Sequence, residues 1–199
     1  MVNLKKNKYN SLAGKFLISS PYINDMRFKK TLIYIISDNA SGSMGIIVNK
    51  PAMNIDLERV LGALKVNKND KNVCYPKVFY GGPVELDKGF IVHTNDYKYK
   101  EGITEINNDL ALSSNISIIN DIVSGAGPSK SILAIGYTGW DSYQLQSELM
   151  QNVWIEIELD INIMFSDNHN KKWEYAISKL GINPKSLNKS IFTSYTGSA

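Results

Sequence analysis

The amino-acid sequence predicts a single α+β domain with a mixed sheet, and three observations support this prediction. The 199 residues are 43% hydrophobic and 21% charged, which is the composition of an ordinary globular domain rather than of a disordered chain. Short β-branched and aromatic runs alternate irregularly with helical repeats, which disfavours a doubly wound parallel sheet. Glycine and proline separate these segments at short intervals, and no internal repeat or low-complexity linker interrupts them.

In the first half of the chain, strand patterns dominate and one helix interrupts them. β-Branched and aromatic runs bounded by Pro21, by the loop 38–43 and by the turn Gly81–Pro83 predict short strands. These strands cover residues 15–19, 31–37, 44–49, 78–80 and 89–93. Between them, apolar residues at i, i+3, i+4 and i+7 from Leu57 to Leu64 predict a helix that packs one face on the core.

Further strands and a second helix follow. The strands are expected over residues 103–106, 111–112, 131–137 and 154–159. Isoleucines spaced at helical intervals predict a helix that begins at Ser113 or Ser114. Gly125 marks its end, because glycine readily takes the left-handed conformation that terminates helices.

Two more helices are predicted near the carboxyl terminus. One follows a turn at Thr138–Trp140, begins at Asp141, and has Gln144 three residues later in the position of a capping box. The other places Trp173 and the apolar residues up to Leu180 on one face. Together with the two earlier helices, this predicts about four helices beside the sheet.

Positive charge is concentrated at the amino terminus. Residues 1–30 carry seven Lys and Arg side chains against Asp25 alone, a net +6, so the remainder carries a net −3. We expect one domain over 1–199, with a flexible basic arm over 1–11 and a flexible tail over 190–199. The arm is interpreted as solvated, and the alternative is that it binds phosphate groups, as on DNA.

Cysteine content and hydropathy predict the compartment. Cys74 is the single cysteine, which excludes an intrachain disulfide and favours a reducing environment. Apolar runs reach about five residues, whereas a membrane-spanning helix needs roughly 20, and residues 10–15 interrupt any secretion signal. The sequence therefore predicts a cytoplasmic protein without membrane insertion, metal or cofactor, and leaves a homo-oligomer open.

Of the two histidines, His93 is the candidate for chemistry. It ends an apolar strand beside the Gly81–Pro83 turn, where an imidazole can bind or polarise a ligand. The alternative is a structural histidine, held by hydrogen bonds at a strand end. His169 lies in a polar segment, where exposure or helix capping explains it. The sequence has no Gly-x-Ser-x-Gly elbow for a serine hydrolase and no ligand set around His93 for a metal.

Gln144, Glu148 and Asn152 are spaced at i, i+4 and i+8, which stacks three polar groups on one helix face. Such a stripe can line a pocket, and the alternative is that Gln144 caps the helix while the other two face water. Glu156 and Glu158 alternate with apolar residues, as on the solvated side of a strand.

The segment 125–131 resembles a phosphate-binding loop superficially. Ser129 occupies the place of the glycine before Lys130, and the segment follows a helix and precedes a strand. Because a phosphate-binding loop has the reverse order, strand before helix, we interpret this segment as a helix-ending turn.

Taken in order, these segments resemble the AlgH/YqgE family of small bacterial proteins over residues 12–182. The resemblance is carried by Gly14–Ser19 with Pro21, Asp25 and Phe28, by Gly42–Pro51, Gly81–Val84, Gly89–His93 and Gly136–Trp140, and by Gln144–Leu145 with Glu148, Asn152 and Trp154. It implies an α+β fold with a largely antiparallel, bifurcated sheet curled into a pseudo-barrel. The family is labelled as one of transcriptional regulators, and the resemblance supplies neither a catalytic residue nor a cofactor.

Four positions depart from the pattern of that family. Asp38 stands where relatives often have histidine, which disfavours two histidines acting together. Ser43 replaces an alanine, while Tyr143 and Gln146 replace a glycine and a glutamate beside Gln144. We expect these changes to be tolerated in folding, and the last of them argues against a functional role for Gln146.

The sequence favours a non-catalytic regulatory or ligand-binding protein, with a small molecule or a protein as its unidentified partner. The expected binding surface lies at the ends of elements, where sites usually form, and combines them in one cleft. Its residues are Asn49, Gly81, Gly82, Pro83, His93, Trp140, Gln144 and Glu148. The alternatives are a hydrolase-like enzyme with His93 as general base, and direct DNA binding through Lys5, Lys6 and Lys8.

Overall fold

A computed structural model describes residues 10–52, 76–97, 101–115 and 117–184. The predicted helix between Leu57 and Leu64 lies outside these residues, as do positions 1–9 of the basic arm and the predicted tail.

Nine strands in the described residues form one sheet. They are β1 Phe16–Ser19, β2 Leu32–Asn39, β3 Gly42–Ile47, β4 Lys77–Tyr80, β5 Val84–Thr94, β6 Ile103–Glu105, β7 Leu110–Ser113, β8 Ser131–Asp141 and β9 Trp154–Ile157. The order is β6-β7-β5-β8-β3-β2-β1-β9, with β4 beside β8 off this path. Among the described pairs, β4 with β8 is parallel and the others are antiparallel.

The long strand β8 divides the sheet. Its first half pairs with β5 on one side and with β4 on the other, while its second half, from Thr138 to Asp141, pairs with β3. A register shift in β5 between Val84 and Gly89 accompanies this change of partner. The predicted α+β class, with a largely antiparallel and curled sheet that branches at one strand, is therefore confirmed.

Four helices lie beside the sheet in the described part of the chain. They are α1 Ile118–Ser124, α2 Gln144–Met150, α3 Ile161–Met164 and α4 Lys172–Lys179, and a 3-10 turn covers His169–Lys171. Gly125 ends α1 in the left-handed conformation, with φ at 78°, as its glycine predicts. The longest of these helices has eight residues, and none of the described helices could cross a bilayer.

Two predictions near α2 are wrong. Thr138–Trp140 is not a turn, because β8 continues through it and pairs with β3. Consequently α2 begins at Gln144 rather than at Asp141. The helix α3 is an addition that the sequence analysis lacks; the Asp160 carboxylate caps it by accepting hydrogen bonds from the N–H groups of residues 162 and 163.

Both faces of the sheet are buried around β2. Leu32, Tyr34 and Ile36 point into the main core, which α4 covers, while Ile33 and Ile35 point to the opposite face. Burial on two sides explains why the apolar run in β2 is continuous rather than alternating. On that opposite face, β2 packs with a second cluster, which contains Trp140, Leu145 and Trp154. A third cluster lies under α1.

Candidate functional site

A cavity of about 690 Å³ opens beside the second half of β8. Its walls come from the β1–β2 connection between Ser20 and Phe28, from Pro83 at the start of β5, from Thr138–Trp140, from α2, and from residues 151–154 before β9. Its volume falls within the range of roughly 300–1,000 Å³ that is usual for small-molecule sites.

The carboxylate of Glu148, on α2, lines this cavity and accepts three hydrogen bonds. Trp140 Nε1 donates to Oε2 over 2.9 Å, and Trp154 Nε1 donates to the same oxygen over 2.6 Å. Gln144 Nε2 donates to Oε1 over 2.8 Å. These neutral donors orient the carboxylate without cancelling its charge, and no cation among the described residues forms an ion pair with it.

The local fold explains how these side chains meet. Trp140 is near the end of β8 and Trp154 begins β9, and their rings meet edge to face at 5.9 Å. The chain enters α2 through Tyr143 and leaves it through Asn152, both in the left-handed conformation with φ of 62° and 60°. These two sharp turns place the short helix between the strands, so that Glu148 faces both indoles.

An ion pair in the β1–β2 connection forms another part of the cavity wall. The Arg27 guanidinium donates to both oxygens of the Asp25 carboxylate, with Nη2 to Oδ2 at 2.6 Å. These hydrogen bonds hold the pKa of Asp25 below its ordinary value and raise the pKa of Arg27. The Arg27 side chain is 59% exposed, so its guanidinium is available to solvent. With Glu148, the lining thus carries two carboxylates and one cation.

Four of the predicted site residues line this cavity, namely Pro83, Trp140, Gln144 and Glu148. The side chain of Gln144 makes two hydrogen bonds. Its Oε1 accepts from the Asp141 backbone N–H over 3.0 Å, and its Nε2 orients Glu148.

Asn49, another predicted site residue, is buried away from the lining and binds the backbone. Its Oδ1 accepts from the Leu32 N–H and its Nδ2 donates to the Lys30 carbonyl, both over 2.8 Å. Both ends of the amide are therefore occupied in joining β3 to the entry of β2.

Gly81 and Gly82 also lie outside the lining, at the point where the chain passes β8. A Cβ on Gly81 would lie 2.2 Å from the carbonyl oxygen of Gly136, and one on Gly82 would lie 2.2 Å from the carbonyl of Tyr137. Any side chain here would collide with backbone, so these two glycines permit the close crossing of the β4–β5 connection over β8.

His93 is fully buried at the far end of β5, between β7 and β8. Its Nδ1 lies 2.9 Å from the Thr94 carbonyl oxygen, and its ring meets Tyr97 edge to face. Burial lowers the pKa of His93, because the charged imidazolium would lose its hydration. Its partner on β8 is Ser131, nine residues before Trp140, a separation of up to roughly 30 Å along a strand. His93 therefore does not reach the cavity.

The remaining polar candidates have structural contacts. His169 packs edge to face on Phe79, while Glu156 and Glu158 both pair with Lys15 at 3.2 Å. Among residues 10–52, 76–97, 101–115 and 117–184, no three metal-ligating side chains come together.

The β1–β2 connection supplies Tyr22, Asp25 and Arg27 to the cavity, and none of these residues was among the predicted site residues. Asp25 does belong to the motif that carries the family resemblance. Its spacing of two from Arg27, in a short loop after proline, was the available indication of a local ion pair.

The chain matches known proteins along most of its length. A family model described as DUF179, AlgH-like, matches residues 16–185. A UPF0301 protein of Rhodopseudomonas palustris (strain HaA2) is 37% identical over 182 residues, which cover 88% of this chain and 84% of the relative. A UPF0301 protein of Rickettsia typhi is 38% identical over 175 residues, which cover 87% and 91%.

Two solved structures share the fold. The solution structure of the AlgH protein from Pseudomonas aeruginosa matches with a TM-score of 0.73 at 31% identity, over 93% of this chain and 98% of that one. The crystal structure of a Corynebacterium diphtheriae protein matches with a TM-score of 0.70 over 86% and 88%, and at 15% identity it bears on the fold alone. The family model and the curated relatives agree, and this protein belongs to the AlgH-like family.

Proposed function

We propose that this protein is a non-catalytic, cytoplasmic ligand-binding protein, and that its ligand places an ammonium or guanidinium group against Glu148. The observation that carries this proposal is the carboxylate fixed by two indole N–H groups in the wall of a 690 Å³ cavity. A charge held in a fixed orientation needs little reorganisation when a ligand of opposite charge arrives.

The rest of the cavity suits an amine with an apolar body. Tyr22 and Phe28 contribute aromatic surface to the lining, and aromatic faces attract cations as well as apolar groups. Three exposed apolar side chains adjoin lining residues in the chain: Met26 is 69% exposed, Tyr143 65% and Met150 79%. Exposed apolar side chains around a concave site are typical of a surface that receives a ligand or partner.

Binding rather than catalysis is supported by the way in which the polar groups are used. Both oxygens of Glu148 already accept hydrogen bonds, and the Asp25 carboxylate is engaged by Arg27. His93, the general base of the enzyme hypothesis, is buried away from the cavity. The arrangement therefore favours recognition of a charge over transfer of a proton.

The position of the cavity supports a regulatory role. Residues of the β1–β2 connection and of α2 both line it, and a ligand in the cavity would contact the two segments together. Such bridging would change the surface that a partner macromolecule meets, which is how a ligand-binding protein takes part in transcriptional or other regulation.

A matched pair of carboxylate variants tests the proposal. Amines that include spermidine and arginine methyl ester are screened by thermal shift, and the best is titrated by calorimetry against wild type, Glu148→Gln and Glu156→Gln. We expect Glu148→Gln to weaken binding roughly tenfold or more, since a charge-assisted contact is lost. Glu156→Gln removes a surface carboxylate on β9 and should bind as wild type does. Equal affinity of the two variants would refute the role of Glu148.

A further inference from the structure

A second cavity, of about 540 Å³, lies at the other end of β8. It is bounded by the start of β4, by residues 125–132 and by the connection from α3 to α4. We infer that this cavity binds a small organic anion, a carboxylate on an apolar body, through the ammonium groups of Lys77 and Lys130, beside the buried charge of Lys172. This site is independent of the cavity that contains Glu148.

The charge of the second cavity is the first argument. Three lysines and one carboxylate, that of Asp167, line it. Lys77 pairs with Asp167, whereas Lys130 has no carboxylate partner among the described residues and places its Nζ 6.0 Å from the ring centre of Phe165. The lining therefore has more positive charge than it neutralises, as an anion site requires.

The burial of Lys172 is the second argument. This lysine is fully buried, and its Nζ donates to the carbonyls of Val48 over 2.9 Å and Met164 over 2.5 Å. The ring centre of Phe79 lies 4.9 Å from the same nitrogen. These neutral groups hold the ammonium in place, and no described carboxylate pairs with it. A buried charge without a counter-ion is costly, so an anion in the cavity would supply what the protein does not.

The electrostatic consequence appears in the pKa of Lys172. Burial, reinforced by the positive charge of Lys77, lowers it to about 7, while Asp167 acts in the opposite direction. The other titratable groups around this lysine are Lys130 across the cavity and His169 on the 3-10 turn, packed on Phe79. A bound anion would oppose the lowering, so binding near pH 7.5 should take up a proton.

The walls determine the rest of the ligand. Phe79, Ile122, Pro128, Ile132 and Phe165 supply apolar surface, which favours an anion with a hydrocarbon or aromatic body. Two amides of the loop are already occupied: the Ser129 N–H donates to Asp96 and the Lys130 N–H donates to Thr94. Recognition therefore rests on lysine side chains, unlike that of a phosphate-binding loop.

Calorimetry of the full chain with benzoate, and with acetate as the anion lacking the apolar body, tests the site. We expect benzoate to bind more tightly than acetate, and Lys130→Gln to weaken benzoate roughly tenfold through loss of a charge-assisted contact. Lys88→Gln removes an exposed lysine elsewhere and should leave benzoate binding unchanged, as should Glu148→Gln. Absence of benzoate binding at millimolar concentration, equal affinity for acetate, or equal losses in the two lysine variants would overturn the inference.

Proton uptake provides a readout that adventitious surface binding would not give. At pH 7.5, the heat of benzoate binding should differ between buffers of different ionisation enthalpy in wild type, and should not differ in Lys172→Met. Affinity should also fall as the pH rises above 7, because Lys172 then loses its charge. If Lys172→Met does not fold, a wild-type heat that is identical in the two buffers contradicts the inference by itself.

Discussion

Asp38 and Ser43 face each other across the β2–β3 hairpin. The Ser43 hydroxyl donates to Asp38 Oδ1 over 2.6 Å, and the Leu12 N–H donates to Oδ2 over 2.7 Å. Both side chains are buried. The serine therefore supplies the buried carboxylate with a donor that an alanine could not offer.

We expect Ser43→Ala to lower the free energy of unfolding by about 1–2 kcal/mol, since the buried Asp38 carboxylate loses one hydrogen bond. Urea titration monitored by circular dichroism measures this change. Ser142→Ala is the control, because the Ser142 hydroxyl bonds the Ala40 carbonyl in an exposed position. A loss as large in the control would show that the Asp38 contact has no special contribution.

Tyr143 has a strained backbone conformation that lowers the stability of the fold. It enters α2 with φ at 62°, a conformation that disfavours residues with a Cβ, and its side chain is exposed. We expect Tyr143→Gly to raise the free energy of unfolding by about 1 kcal/mol, because the strain at this position is relieved. Tyr143→Ala keeps the Cβ and should give no gain. A similar gain in both variants would assign the effect to the ring rather than to the backbone.

Lys172 connects α4 to two other secondary-structure elements, α3 and β3. Its ammonium binds the carbonyl of Met164 at the end of α3 and that of Val48 just after β3. The side chain thus fixes the α3–α4 connection on the sheet, at the expense of a buried charge.

Burial lowers the pKa of Lys172, which predicts an increase in stability with pH. The pKa of Lys172 is about 7 in the folded chain, against an ordinary value of 10.5. Between pH 7 and 10.5, Lys172 is protonated in the unfolded chain but largely deprotonated in the folded one. The contribution of Lys172 to stability therefore rises from pH 7 towards 10.5 and is constant below 7. Urea midpoints at pH 7 and pH 9 measure it for wild type, Lys172→Met and the exposed control Lys88→Met. We expect the rise in urea midpoint from pH 7 to pH 9 to be smaller in Lys172→Met than in wild type or Lys88→Met. An equal rise in all three proteins would contradict this account.

The elements also show how far local patterns reach. The isoleucine spacing and Gly125 locate α1, and the apolar run Leu32–Ile36 locates β2, because burial and capping are read from neighbouring residues. Gly139 led to the wrong prediction of a turn at Thr138–Trp140, where β8 continues. In the structure, Gly136 has φ at 71° and approaches the backbone of Gly82 within the strand. That close approach depends on a segment more than 50 positions away in the sequence, which no local pattern reveals.

In the whole molecule, the residues of the predicted site fall into two groups, those that line the cavity and those that lie away from it. Helical spacing brings Gln144 and Glu148 together and places them in the cavity. His93 and Trp140 both lie near the end of a strand. Because β5 runs antiparallel to β8, His93 lies beside the first residue of β8, whereas Trp140 lies near its last. The Asp25–Arg27 wall likewise depends on how the β1–β2 connection folds over the sheet. Local spacing was therefore sufficient to predict which residues of one helix lie together. Which strand ends and loops lie near each other depends on the sheet topology.

The distribution of tryptophans gives a test of the Glu148 cavity at this scale. The chain has three tryptophans. Trp140 and Trp154 line the cavity, whereas Trp173, a residue of α4, is buried and its Nε1 donates to the Ser19 carbonyl. An amine that binds Glu148 should change the intrinsic fluorescence, and Trp173→Phe should retain the whole change. Loss of the change in Trp173→Phe would place the ligand elsewhere.

The continuity of β8 constrains how this chain can vary. Ser131 and Ile132 border one cavity, and Thr138–Trp140 border the other, along a single strand with three neighbours. Successive strand residues face opposite sides, so one inserted residue between them would reverse every later side chain. The Trp140 indole would then point away from Glu148. Insertions should therefore be tolerated in the loops around both sites and excluded from this strand.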